Sequence, residues 1–142
     1  MRPVVAVDVD HTLSDAAWRD CLMPLDHRSG DWSLYYSLQH LDQPRTEIVA
    51  LVRHLAESND VFVTTARDDI YREATEWWLK TVEVPHSAVL MRPHGDHTPT
   101  PELKVRLLEP VWTRLVLVID DREDVLDAFR ARGVNVANAA QR

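Results

Sequence analysis

The sequence predicts an α/β protein in which a mostly parallel five-stranded sheet lies between two layers of helices, with a very small helical lid. Three observations carry this prediction. Short β-branched runs alternate with amphipathic stretches along all 142 residues, the pattern of a parallel sheet crossed by helices. Two of the runs, VVAVDVD at 4–10 and RLVLVIDD at 114–121, end abruptly in acids. No internal repeat, low-complexity tract or linker divides the chain, so residues 1–142 read as one domain.

The first strand spans about 4–10. Residues 14–43 form the predicted lid. They are polar and aromatic with weak periodicity, broken by Pro24 and by Ser29-Gly30-Asp31, and they hold one or two short helices. Residues 45–57 place Ile48, Leu51, Val52 and Leu55 on one helical face, with Pro44 at the start. A second strand covers 60–65, a helix about 68–82 and a strand about 87–91. Trp77 and Trp78, adjacent on that helix, point about 100° apart, so one faces the core and the other does not. Three prolines, a glycine and two histidines make 92–101 a loop. A helix over 100–110 carries Lys104. Strand 114–119, helix 122–132, a Gly133 C-cap and a short strand at 134–137 complete the chain.

Composition narrows the function. With 45% hydrophobic and 27% charged residues, the balance is that of an ordinary water-soluble domain. No segment has the apolar length of a membrane span. The apolar run at the start carries two aspartates, which excludes a signal peptide. Cys21 is the sole cysteine, so no internal disulfide forms and a cytoplasmic location is expected. The formal charge of −7 and the lack of any basic run longer than a pair argue against tracking along nucleic acid. They leave a nucleic-acid end or a small phosphoester as the partner. Apolar helix faces are compatible with a homodimer.

The acids define the chemistry. Side chains alternate along a strand, so Asp8 and Asp10 project from the same edge if the strand persists. Two carboxylates converging there are costly unless a cation or a shared proton accompanies them. In a parallel sheet the carboxyl ends of the strands open onto one crevice, which gathers Asp8, Asp10, Thr65, Asp120 and Asp121. Phosphoryl transfer suits this set. Asp8 attacks phosphorus, and Asp10 protonates the leaving alcohol and then deprotonates water. Thr65 and Lys104 hold phosphoryl oxygens. A hard divalent ion with all-oxygen ligands, Mg2+, is held by Asp8, the Asp10 carbonyl and at least one of Asp120 and Asp121. Arg67 and Arg92 are candidate substrate contacts, and a metal site at His94 and His97 is a weaker alternative.

DVDHT at 8–12, the strand ending in Thr65, Lys104 and IDD at 119–121 resemble the four signatures of the haloacid dehalogenase-like (HAD) superfamily. TTAR at 64–67, MRPHGDHTP at 91–99 and VIDDREDVLDAFRARGV at 118–134 are most similar to the 3′-phosphatase domain of bacteriophage polynucleotide kinase. The resemblance implies a HAD-like Rossmannoid fold and a magnesium-dependent polynucleotide 3′-phosphatase. It makes Asp8 the nucleophile, Asp10 the acid/base, Thr65 and Lys104 the phosphate-facing pair, Asp120 and Asp121 the metal acids, and Arg67 an arginine near the phosphate. The resemblance departs at His11, where such families usually have glycine. No Gly-rich kinase loop is present, so a companion 5′-kinase would be a separate protein. The alternatives are a nucleotidase, a small-metabolite phosphatase, or a non-enzymatic phosphoacceptor. The phosphoacceptor is disfavoured because its acidic pair lies on the first strand and its lone acceptor on a middle one.

Overall fold

The computed structural model describes residues 1–141. Strands β1 (Val4–Val7), β4 (Asp60–Asp68), β5 (Ala88–Arg92), β6 (Leu115–Asp120) and β7 (Val136–Asn138) form one sheet in the order β5-β4-β1-β6-β7. Every pairing in it is parallel. β1 is the central strand and is buried throughout, as its unbroken VVAV requires.

Alternation along β1 feeds two cores. Val5 and Val7 pack with Val49 and Val52 of α2 (Thr46–Leu55) and with Trp78 and Leu79 of α3 (Arg72–Thr81). Val4 and Ala6 face the other way, onto Leu108 of α4 (Thr100–Leu108) and onto Val125, Leu126 and Phe129 of α5 (Glu123–Arg130). The result is three layers, helix–sheet–helix. Trp78 is 2% exposed and Trp77 54%, as the angle between them requires.

Several boundaries differ from the sequence reading. β1 ends at Val7, not at 10. Val9 and Leu13 are drawn into the core, and the N–H groups of Thr12 and Ser14 both turn back to the Val9 carbonyl. β4 continues past Thr65 through an irregularity to pair Asp68 with Arg92, so α3 begins at 72 rather than 68. Pro44 does not open a helix. It belongs to β3 (Gln43–Pro44), which pairs antiparallel with β2 (Ser14–Asp15). This two-stranded ribbon closes the base of the insert at 14–43, whose helical content is two 3-10 turns and the short α1 (Ser33–Ser37). Gly133 has φ +79, a left-handed turn that suits glycine after α5.

Candidate active site

Sheet register assembles the first half of the site. Val7 lies opposite Ile119 on β6, and the Asp8 N–H still donates to the Ile119 carbonyl at 3.0 Å. Asp8 and Asp120 therefore leave the sheet side by side. Lys104 enters from α4, and its Nζ donates to Asp8 Oδ1 at 2.7 Å and to Asp120 Oδ2 at 2.6 Å. Thr12 Oγ1 donates to Asp8 Oδ2 at 3.1 Å, with Asp121 Oδ1 as an alternative acceptor at 3.4 Å.

Asp8, Lys104 and Asp120 are buried. Burial, reinforced by Asp120, raises the Asp8 carboxyl well above the usual range despite Lys104. Burial is also the main cause raising Asp121. For Lys104 burial works in the opposite sense, but Asp120 and Asp8 outweigh it and keep the amine protonated. Three carboxylates thus face a single ammonium. Asp8, Asp120 and Asp121 can each offer an oxygen within 4.8 Å of the others, the one such cluster of acid, histidine or cysteine side chains among the described residues. An excess of negative charge on hard oxygen donors in a buried setting fits magnesium.

Asp10 forms the second half and has partners of its own. β1 stops at Val7, so Asp8 and Asp10 lie in the turn that follows it rather than on the strand. Arg67 forks onto Asp10, Nε to Oδ2 at 3.0 Å and Nη2 to Oδ1 at 2.8 Å, while Arg19 Nη2 reaches Oδ1 at 2.5 Å. Burial opposes ionisation of Asp10, but the two guanidinium groups, Arg67 foremost, hold its carboxyl below the usual range.

Arg19 is the main residue that the sequence reading missed. It comes from the insert and is fully buried. Asp42 accepts from its Nε at 2.8 Å and its Nη2 at 2.5 Å, and the Tyr35 ring lies 4.3 Å beneath it. Trp18 Nε1 and Trp78 Nε1 tie Asp42 down through its carboxylate and its carbonyl. No local signal marks Arg19, since its partners are 9 and 23 residues away. Tyr36, next to Tyr35, packs its ring against Trp32 and Tyr71. Burial and then Asp10 raise its phenol, against Arg67, Arg19 and Arg92.

The other candidate residues are less central. Thr65 is buried, and its Oγ1 accepts from the Arg67 N–H at 3.2 Å. Arg92 is occupied by its own loop, donating to the carbonyls of Ala66, Asp96 and Thr98 and to Thr100 Oγ1. Arg106 turns outward onto Asp96 and Thr98, leaving Lys104 as the base on α4 that faces the carboxylates. His94 pairs with Asp68 on the surface and His97 is exposed. His11 has φ +63, in the left-handed region where glycine is unstrained. It also pairs with Asp20 at 2.9 Å, linking the turn to the insert.

Comparison with known proteins agrees with this fold. The family model described as "Polynucleotide kinase PNKP phosphatase domain" matches residues 2–142. A chain of the Pnkp1/Rnl/Hen1 RNA repair complex superposes with a TM-score of 0.77 at 22% identity, covering 96% of this chain and 42% of that one. This chain therefore spans less than half the length of that relative. The haloacid dehalogenase-like hydrolase SP0104 from Streptococcus pneumoniae gives 0.67 at 12% identity, covering 96% and 84%. A HAD family enzyme from Bacteroides thetaiotaomicron, solved with magnesium and inorganic phosphate, gives 0.59 at 14% identity, covering 97% and 94%. No curated protein sequence matches the chain.

Proposed function

The chain belongs to the polynucleotide kinase PNKP phosphatase-domain family of HAD-like hydrolases, and from that premise we propose that it is a magnesium-dependent phosphomonoesterase that removes 3′-phosphates from nucleic-acid ends. The observation that carries this reading is the division of labour at the sheet edge. One buried carboxylate, Asp8, faces an ammonium and two more acids. A second, Asp10, is held by two arginines.

Asp8 Oδ attacks phosphorus as the bond to the leaving oxygen breaks, forming an aspartyl-phosphate. Asp10 gives its proton to that oxygen and later takes one from the water that cleaves the acyl phosphate. In the free protein Arg67 and Arg19 hold Asp10 ionised, the form needed as base. Phosphate oxygens that draw on the remaining N–H groups of Arg67 loosen that hold, so that Asp10 takes up a proton from solvent as substrate binds and has it to give in the first step. Lys104 keeps Asp8 oriented, and Thr65 offers its hydroxyl to the phosphoryl group. Asp8, the Asp10 carbonyl and at least one of Asp120 and Asp121 would hold magnesium, which supplies charge neutralisation at the phosphate.

The insert at 14–43 acts as the lid, and its small size leaves room for a long substrate. The net charge of −7 and the engagement of Arg19, Arg67 and Arg92 within the protein favour capture of one terminal phosphate over backbone tracking. The test is phosphate release in magnesium from 3′- and 5′-phosphorylated DNA and RNA oligonucleotides, 3′- and 5′-mononucleotides and a sugar phosphate, with Asp8→Asn alongside. Release concentrated on 3′-phosphorylated ends and lost in the variant supports the proposal. Preference for mononucleotides or the sugar phosphate keeps the chemistry and refutes the substrate.

A further inference from the structure

Arg67 is held on the side away from Asp10 by a buried chain that the chemistry above does not use. A guanidinium is planar and carries five N–H groups. Two of Arg67's fork onto Asp10, and a third, on Nη1, donates to Thr75 Oγ1 at 3.0 Å. Thr75 is fully buried on α3, and its own hydroxyl donates to Gln39 Oε1 at 3.1 Å. Gln39 belongs to the insert, in the 3-10 turn Gln39–Leu41, and is 1% exposed.

This arrangement carries a cost. Gln39 Nε2 is buried with no hydrogen-bond partner, and an unpaired buried amide N–H is destabilising. Turning the amide over does not help, because Oε1 and the Thr75 proton would then both be stranded. Methionine, unbranched and of similar length, would remove the unpaired amide together with the acceptor for the Thr75 proton. With Oε1 toward Thr75, however, the hydroxyl proton points to Gln39 and an oxygen lone pair is left for Arg67. Two contacts on Asp10 alone let the guanidinium swing with the carboxylate. The third fixes its plane and the direction of its two unused N–H groups.

We propose that Gln39 and Thr75 are positioning residues through which the insert aims Arg67. The proposal rests on the reading of Asp10 and Arg67 as parts of a phosphatase site. Its test is steady-state hydrolysis of p-nitrophenyl phosphate in magnesium, with melting curves, for Gln39→Met, Thr75→Val and Thr75→Ser beside wild type and Asp8→Asn. Small misplacements of catalytic groups cost up to about a hundredfold, so Thr75→Val should lower kcat by about tenfold or more, and Gln39→Met, one bond further away, by about three- to tenfold. Thr75→Ser, which keeps the hydroxyl, should stay within about threefold of wild type. Gln39→Met, which removes one unpaired group and leaves another, should melt close to wild type, so its loss of kcat cannot come from unfolding. Wild-type kcat in folded Gln39→Met overturns the proposal, as does a loss in any variant that merely tracks its melting temperature. If Thr75→Val does not fold, Gln39→Met and Thr75→Ser still decide. Wild-type protein no more active than Asp8→Asn refutes the phosphatase reading itself, and the proposal falls with it.

Discussion

Replacing Lys104 with methionine keeps an apolar stem of similar length and removes one charge from the most crowded part of the site. Its Nζ lies 2.7 Å from Asp8 Oδ1 and 2.6 Å from Asp120 Oδ2, and all three groups are buried. Breaking a buried ion pair by removing one partner costs about 3–5 kcal/mol. Here one ammonium serves two carboxylates, so a loss of about 4 kcal/mol is expected in the metal-free protein. For a chain of this size that corresponds to a fall of roughly 13 °C in Tm. The folded pKa of Lys104 is raised, so its contribution is complete below the ordinary lysine range, near pH 10, and is lost only as pH climbs through the folded value. The deficit should therefore be full at neutral pH. Magnesium among Asp8, Asp120 and Asp121 replaces part of the missing charge and should narrow it. The assay is urea unfolding followed by tryptophan fluorescence, in EDTA and in magnesium. A metal-free loss below about 1 kcal/mol, well under that of a broken buried pair, refutes the reasoning. An equal loss with and without magnesium refutes the shared role of the three acids.

Other consequences follow from the same groups. Asp8→Asn should abolish phosphate release in the substrate panel and melt no lower than wild type in EDTA at neutral pH, since the amide removes a charge that burial disfavours; a clearly lower Tm contradicts this. The raised pKa of Asp8 means its contribution is fully present below about pH 4 and is lost as pH rises through the folded value. The rise in Tm produced by magnesium should therefore be larger at pH 8 than at pH 5, and equal shifts at the two values would count against it. Asp10 runs the opposite way. Its depressed pKa gives stability that is complete above about pH 4 and is lost only as acid carries the pH through the folded value, so Arg67→Met should lower Tm at pH 5 as much as at pH 7, and a deficit confined to neutral pH would refute it. At His11 the left-handed backbone offsets the flexibility that glycine adds, so His11→Gly should change stability by less than about 1 kcal/mol. His11→Val, β-branched at φ +63, should cost more than that; equal melting temperatures would show that the strain is not there.

Much of the fold is legible in the chain because its signals are local. VVAV, VFVTT and LVLVID announce buried parallel strands by composition alone, and the 3.6-residue spacing of Ile48, Leu51, Val52 and Leu55 announces α2. Asp8 and Asp120 are legible for the same reason, since an acid that ends a buried strand has no structural excuse. Parallel register then brings them together. The end of β1 was less legible, because its apolar run continues to Val9 while the strand stops at Val7. The closing ribbon of Ser14–Asp15 and Gln43–Pro44 escaped because two-residue strands carry no period. Arg19, Thr75 and Gln39 were invisible for a deeper reason. Each is a polar residue that sequence statistics place on the surface, and each is buried here by hydrogen-bond partners elsewhere in the chain, 8 to 36 residues away. Apolar burial can be read one residue at a time from composition and spacing. Polar burial is a property of partners, and only the folded chain brings those partners together.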